Sequence, residues 1–489
     1  MKTITIIGGG LSGLAASCYL AKSNYKVTII DKNETMGGRL SSFEKDGFKF
    51  DYGPSWYWMP DIFENFFKDF NKKVSDYYEL KRLDPSYKFF FEDDSTLIPS
   101  NFSEIKKEYD RMDKDSSNQL DKFINKGEKK YNISMNGFID LPNLSIKEYL
   151  SKDVLKHFFS LDFFISLRRH IKKYFSNQKI RKMLEFPSMF LGGTPDNTPG
   201  LYSLMNYSDI KGGTWYPMGG MIEITKAFTS LSQELGVIHI NDTEIEKLVI
   251  ENFSIKEARS TDGNIYKSDA FLCSAEYPFV QNSLIEKKYR TYNKKYWSSR
   301  KVAPSALIFY LGLSGKIKNL EHHNLFFDKD FDAHLNEIFI KKEWPKDPLF
   351  YVCCPSKTDS STVPSPNHEN LFILVPISPG STDNKIIRNN YFKKILNRIE
   401  SKINQKISDK IIYKKSFCVN DFKKRYNAFD GNAYGLANTL FQTAIFKPKM
   451  KDSKLKNLYY SGHFTVPGPG LPPAIISGKI ASTQIIKDT

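Results

Sequence analysis

The stretch from Thr3 to Asp31 does most to limit what this chain can fold into. Ile4–Ile7 is an apolar, β-branched run of the kind a strand buried on both faces needs. Gly8, Gly10 and Gly13 follow at G-x-G-x-x-G spacing, and Leu14, Ala15, Ala16, Tyr19, Leu20 and Ala21 then recur at helical intervals. A second apolar run, Val27–Ile30, ends on Asp31. Strand, tight turn, helix, strand and acid in that order predict a parallel βαβ unit that binds a dinucleotide. Gly8 lets the chain turn sharply, Gly10 lets a pyrophosphate approach the backbone, and Gly13 lets the helix lie close to the strand. The helix start offers free N–H groups and a positive dipole end to the phosphates. Asp31, 18 residues past Gly13, is spaced to meet the adenosine ribose hydroxyls.

A chain of 489 residues has room for two or three domains. Its formal net charge of +16 would attract anionic surfaces. It carries no Cys/His finger spacing, no RNP-like strand and no basic-zipper heptads, so no nucleic-acid partner is expected. Phe and Tyr are abundant, as a long apolar tunnel for a large lipid would require, but so are Ile, Asn and Lys, and a nucleotide bias accounts for most of this. The five cysteines (Cys18, Cys273, Cys353, Cys354 and Cys418) form no C-x-x-C pair, which suits a reducing compartment. The first strand begins at residue 3, so no signal peptide is expected, and no apolar run approaches the ~20 residues of a transmembrane helix.

Beyond the first unit, Ile62, Phe63, Phe66, Phe67 and Phe70 predict an amphipathic helix. Tyr87–Phe91 and Leu97-Ile98 predict short strands. Leu155 to Leu167 is densely apolar and runs into Arg168, Arg169, Lys172 and Lys173. That pattern fits either a helix in a membrane interface or a buried helix followed by a solvated turn. Lys182–Met221 mixes Gly, Pro and aromatics and predicts loops folded against a site. Strands are expected at Val237–Ile240, Ile245–Ile250, Ala270–Cys273, Ser305–Leu313, Glu337–Ile340, Leu349–Cys353, Asn370–Pro376, Ile411–Lys415 and Leu458–Ser461, with a helix at Tyr391–Lys402. Near the C-terminus, Pro467 to Pro473 is a stiff Pro/Gly loop that leads into a helix from Ala474. Amides there can stabilise negative charge on a bound ring.

Gly37-Gly38-Arg39 after the acid, DYGPSWYWMP, and the ending SGHFTVPGPGLPPAIISGK together resemble the FAD-dependent carotenoid desaturases of the phytoene desaturase family, within the amine oxidase-like flavoproteins. LEFPSMFLGG and TPGLYSLMNYSDIKGGTWYPMGGM extend the likeness over nearly the whole chain. The resemblance implies an α/β fold: a Rossmann-type FAD-binding domain, a mixed-sheet substrate domain and a helical membrane-associating part. Divided this way, residues 1–85, 216–285 and 426–489 would form the FAD-binding domain. Residues 86–215 would form the helical substrate and membrane region, and 286–425 the substrate domain.

The resemblance further implies that FAD is held by Gly8, Gly10, Leu11, Ser12, Gly13, Asp31, Lys32, Gly38, Arg39, Leu40, Gly53, Pro54, Ser55, Val249, Gly462, His463, Gly470, Leu471 and Pro472. No catalytic residue is assigned, and no metal site or Ser/His/Asp triad is expected. The implied reaction is desaturation of phytoene to neurosporene- or lycopene-type carotenes, with oxygen or a quinone as acceptor, by a cytoplasmic protein on the surface of the cytoplasmic membrane. A later carotenoid desaturase (acting on a hydroxy-, keto- or diapocarotenoid), a carotenoid isomerase, an amine oxidase and a carotenoid-binding flavoprotein without activity are the alternatives. His463 stands where the wider superfamily often has an acid, so its role stays open between a flavin contact and a satisfied loop histidine.

Overall fold

The computed structural model describes residues 1–145, 147–148, 161–439 and 441–489. Strand β1 (Thr3–Ile7), helix α1 (Leu11–Lys22) and strand β2 (Lys26–Ile30) form the expected unit. β1 pairs in parallel with β2 on one side and with Ala270–Cys273 on the other. Leu458–Tyr460 and Ile238–Ile240 complete a five-stranded, all-parallel sheet at its two edges. Its central strands are buried on both faces, which accounts for their unbroken apolar sequences. The helix Pro60–Lys68 packs Phe63, Phe66 and Phe67 into the same core.

A second, seven-stranded mixed sheet runs in the order Ile411–Phe417, Ser305–Ser314, His368–Ile377, Phe350–Cys353, His323–Phe326, Tyr87–Phe90 and Ser95–Ile98. All of its pairings are antiparallel except that of His323–Phe326 with Tyr87–Phe90. One face packs under the Lys385–Ile403 helix, and the other carries the largest aromatic cluster of the chain.

Two sequence expectations are overturned. Glu337–Ile340 is not a strand but part of a π-helical turn, Glu337–Lys341, that continues the helix Phe331–Asn336. Four residues, three of them apolar in an unbroken run, carry too little periodicity to separate the two forms. Lys182–Met221 is not mainly loop, since it holds helices within Gln178–Glu185, Pro187–Phe190 and Leu204–Ile210. Pro187 sits at the first position of one of them, where its missing N–H costs nothing. Part of the Leu155–Leu167 stretch lies outside the described residues. Within the rest, Leu161 and Leu167 are buried, and Arg168 is tied to Glu185, Asp196 and Asp332. Among the described residues no helix is long and apolar enough to cross a membrane.

Candidate active site

Four parallel strands end on the same side, and their carboxyl ends open into one cavity of about 520 Å³. Gly8 follows β1, Asp31 follows β2, Ser274–Glu276 follow Ala270–Cys273, and Gly462-His463 follow Leu458–Tyr460; all of these line the cavity. Ligands of open parallel sheets bind at such carboxyl ends.

The first glycine is required by packing. Gly8 has φ +102°, and a Cβ there would sit 2.6 Å from the Ala275 nitrogen. Gly10 is different, because a Cβ there would meet nothing within 4 Å and would project into open space at the start of α1. Only an approaching ligand gives glycine an advantage at that position. Ser12 Oγ, in the first turn of α1, is buried without a hydrogen-bond partner, and α1 has no side-chain cap. Open backbone, an unpartnered hydroxyl and free helix-start amides fit a phosphate group. Asp31 Oδ2 accepts from the Gly9 amide at 2.6 Å, and Oδ1 accepts from the Asn33 amide at 2.8 Å and side chain at 2.9 Å. The acid therefore braces the turn and still keeps lone-pair capacity toward the cavity. Lys32 donates to Asn427 Oδ1 and the Lys424 carbonyl, which docks the far lip of the cavity.

Midway along the cavity, Glu276 is fully buried. Its Oε2 accepts from Arg39 at 3.1 Å and His463 Nε2 at 3.1 Å, and its Oε1 from Asn432 Nδ2 at 2.7 Å and the Phe429 amide at 2.9 Å. Burial works against the carboxylate, but Arg39 and His463 outweigh it and hold the carboxyl at about 2. Burial, and then the neighbouring Arg39 cation, lower His463, against the upward pull of Glu276. Arg39 also lies over the Tyr426 ring, and its Nε is buried with no partner, aimed for a further acceptor. Gly470 (φ +120°) starts the helix Leu471–Asp488. Pro472 and Pro473 carry no N–H, and the Ala474 amide is bonded to the Gly470 carbonyl. Of the donors expected at this helix start, only that of Leu471 remains in its first turn.

Beyond this point the wall becomes apolar and aromatic. Trp56, Trp58, Phe186, Phe190, Met189, Met205, Phe327 and Phe350 line it. Trp58 is held by a hydrogen bond to Thr214, which bonds to buried Asp209, which in turn accepts from Tyr87 at 2.5 Å. The carboxylates among the described lining residues are Asp31, Glu244 and Glu276, and none lies in the aromatic part.

Of the residues that the resemblance implied, Gly8, Gly10, Leu11, Ser12, Asp31, Lys32, Gly38, Arg39, Leu40, Gly53, Pro54, Ser55, Gly462, His463, Gly470, Leu471 and Pro472 are brought together on the cavity wall. Gly13 lies behind the turn, where a Cβ would strike the Gly8 carbonyl. Val249 is a correction. The strand Ile245–Glu251 reaches the cavity only at its start, through Thr243–Ile245, and Val249 lies four residues, roughly 13 Å, further along. Sequence reasoning missed Glu276. An acid just past the carboxyl end of a strand in the same parallel sheet was the available signal.

A family model described as flavin containing amine oxidoreductase matches residues 11–486. The chain is 38% identical over 491 residues to a carotenoid 3,4-desaturase of Haloarcula japonica, covering 100% of this chain and 98% of that protein. It is 28% identical to a zeta-carotene-forming phytoene desaturase of Myxococcus xanthus, covering 99% of this chain and 94% of that one. A solved structure from a redesign of cofactor binding in putrescine oxidase matches with a TM-score of 0.63 at 10% identity, covering 100% of this chain and 99% of the other. At that identity the likeness establishes the fold alone.

Proposed function

We propose, for a chain that belongs to the flavin-containing amine oxidoreductases and among them to the carotenoid desaturases, the FAD-dependent desaturation of a late, already extended carotenoid. The protein is an oxidoreductase acting on CH–CH groups and uses FAD. One observation carries the reading of a flavin acting on a long hydrocarbon: the polar cradle at the strand ends and the aromatic tunnel are a single continuous cavity.

When bound, FAD would supply the oxidation by taking a hydride from one substrate C–H, while the neighbouring carbon loses a proton to solvent as the double bond forms. This chain's residues do the rest. The α1 start with Gly10 and Ser12 would hold the pyrophosphate, Asp31 the ribose, and Arg39, Gly462-His463 and Leu471 the flavin end. Glu276 fixes Arg39 and His463 in place. Trp56, Trp58, Phe186 and Phe190 align a hydrocarbon that offers nothing to hydrogen-bond, and they exclude water from it. The tunnel's lack of a carboxylate argues against a cationic amine as substrate.

Full-length identity is higher to the 3,4-desaturase than to the phytoene desaturase, which favours the late substrate. Phytoene desaturation is the second reading, supported by the other full-length relative. Exposed Phe164 (79%), Phe441 (77%) and Phe446 (53%) neighbour the cavity-lining residues Phe163, Thr443 and Ala444. With a net charge of +16, they support entry of the carotenoid from an anionic membrane surface.

Expression in hosts that accumulate lycopene or phytoene tests the reading. Loss of two hydrogens from lycopene, with phytoene untouched, is expected. Desaturation of phytoene moves the assignment to the second reading, and an isomer of unchanged mass from FAD-loaded protein overturns both.

A further inference from the structure

Behind the tunnel wall lies a group of side chains that the reaction does not use. His323 and Cys353 are directly paired residues on adjacent antiparallel strands, so their side chains leave the same face of the sheet. His322, just before its strand, packs its ring against that of His323 with centroids 4.5 Å apart. One ring nitrogen from each histidine and Cys353 Sγ all lie within 4.8 Å of one another, and all three residues are buried.

The hydrogen bonding around them is lopsided. His322 Nδ1 is bonded to Thr358 Oγ1 at 2.7 Å and His323 Nδ1 to Tyr351 Oη at 2.6 Å. Both Nε2 atoms are buried without partners. A nitrogen left unsatisfied in this way costs about 1–3 kcal/mol. Ligating histidines have the same pattern: one ring nitrogen is held by an outer partner, and the other keeps its lone pair for a cation. Cys353 also lines a second cavity of about 120 Å³, with Asp51, Ser55 and Tyr216, large enough to hold water beside the thiol.

We infer that His322, His323 and Cys353 form a buried site for a borderline transition-metal ion of the zinc type, with one coordination position open to the smaller cavity. Two imidazoles and one thiolate are the donor set such an ion prefers over calcium or magnesium. Closing the ligands onto it requires movements of about 1 Å to reach Zn–N near 2.0 Å and Zn–S near 2.3 Å. Binding releases the Cys353 proton. The site is structural: His323 stacks on Trp56 at 4.2 Å and bonds Tyr351, which bonds Ser55, so the ion would fix three residues of the tunnel wall. The sequence predicted no metal site, because these ligands become neighbours only when the two strands pair.

The test uses the FAD-loaded, tag-free protein, stripped with a chelator and titrated with Co²⁺. One equivalent per chain is expected to give d–d absorption to the red of the flavin bands, and Zn²⁺ should displace it. Cys353→Ser should weaken binding at least tenfold. Thr358→Val, which removes only the outer partner of His322, should weaken it by about 10- to 100-fold. Cys354→Ser, on the opposite face of the strand, should leave it unchanged. Thr358→Val carries the test if Cys353→Ser does not fold. Absence of the cobalt band from folded yellow protein overturns the inference, as does a Cys353→Ser variant that binds Co²⁺ as tightly as the parent.

Discussion

The two halves of the main cavity are built in different ways. The half at the strand ends is made of backbone and short polar side chains: Gly8, Gly10, Ser12, Asp31, and the Glu276 cluster. Gly8 and Asp31 directly follow strands, Gly10 and Glu276 lie three residues past one, and Ser12 is in the first turn of α1. The other half is made of large side chains from many separate stretches, from Trp56 through Phe186 and Phe327 to Leu374. The first half has the rigidity a common cofactor needs. The second is a surface of interchangeable aromatic and aliphatic groups, where substrate length and end group can be tuned without disturbing the first.

Substitutions that act on one half only would sharpen that contrast. The largest effect is expected from Gly10→Val. It should abolish FAD retention, about 1,000-fold or ~4 kcal/mol, while cooperative unfolding persists, because a side chain there meets only open space. Gly8→Val should instead lose the fold. Yellow, FAD-loaded Gly10→Val protein would break the comparison.

Glu276→Gln comes next. The carboxyl is held at about 2 in the folded chain, against 4.5 ordinarily. The unfolded chain therefore takes up the proton first on acidification. The resulting stabilisation, about 3 kcal/mol, is fully present above about pH 4.5 and is lost as the pH falls toward 2. Denaturant titrations should show the parent losing stability through that window and Glu276→Gln much less dependent on pH. Parallel profiles would remove the Arg39–Glu276–His463 cluster from the account.

Met189→Trp, in the tunnel, should cost about 1–3 kcal/mol of stability through overpacking. It should suppress carotenoid turnover with the flavin absorbance per chain unchanged. Loss of flavin would mean the halves are not separable. Smallest of all, Val249→Thr should leave FAD affinity within about 0.5 kcal/mol of the parent, as measured by flavin fluorescence on titration.

The same division explains what was legible in the sequence. Gly8, Gly10 and Asp31 could be read because one short segment makes the strand, turn and helix, and spacing along the chain fixes position in space. The C-terminal loop could be read for the same reason, though its two prolines leave fewer amides than the pattern promised. Glu276 stood in view at the end of a predicted strand, but its partners Arg39 and His463 lie 237 and 187 residues away. Val249 was misplaced because a resemblance identifies a strand more readily than which end of it meets the ligand. Which side chains wall the tunnel was not legible, since no periodicity links Trp56 with Phe186. The 182–221 region was read as loop because Gly and Pro, which break long helices, also begin and end short ones.

The cradle draws its walls from the first thirty-one residues, from the middle of the chain, and from the segment after Tyr460. The Leu471–Asp488 helix lies so close on α1 that a Cβ on Gly478 would strike the Ser12 carbonyl. A chain emerging from the ribosome, N-terminus first, therefore presents its phosphate turn long before it can enclose anything. The cleft can close only once the Leu471–Asp488 helix has been made. Flavin that arrives before that helix meets only half of its cradle.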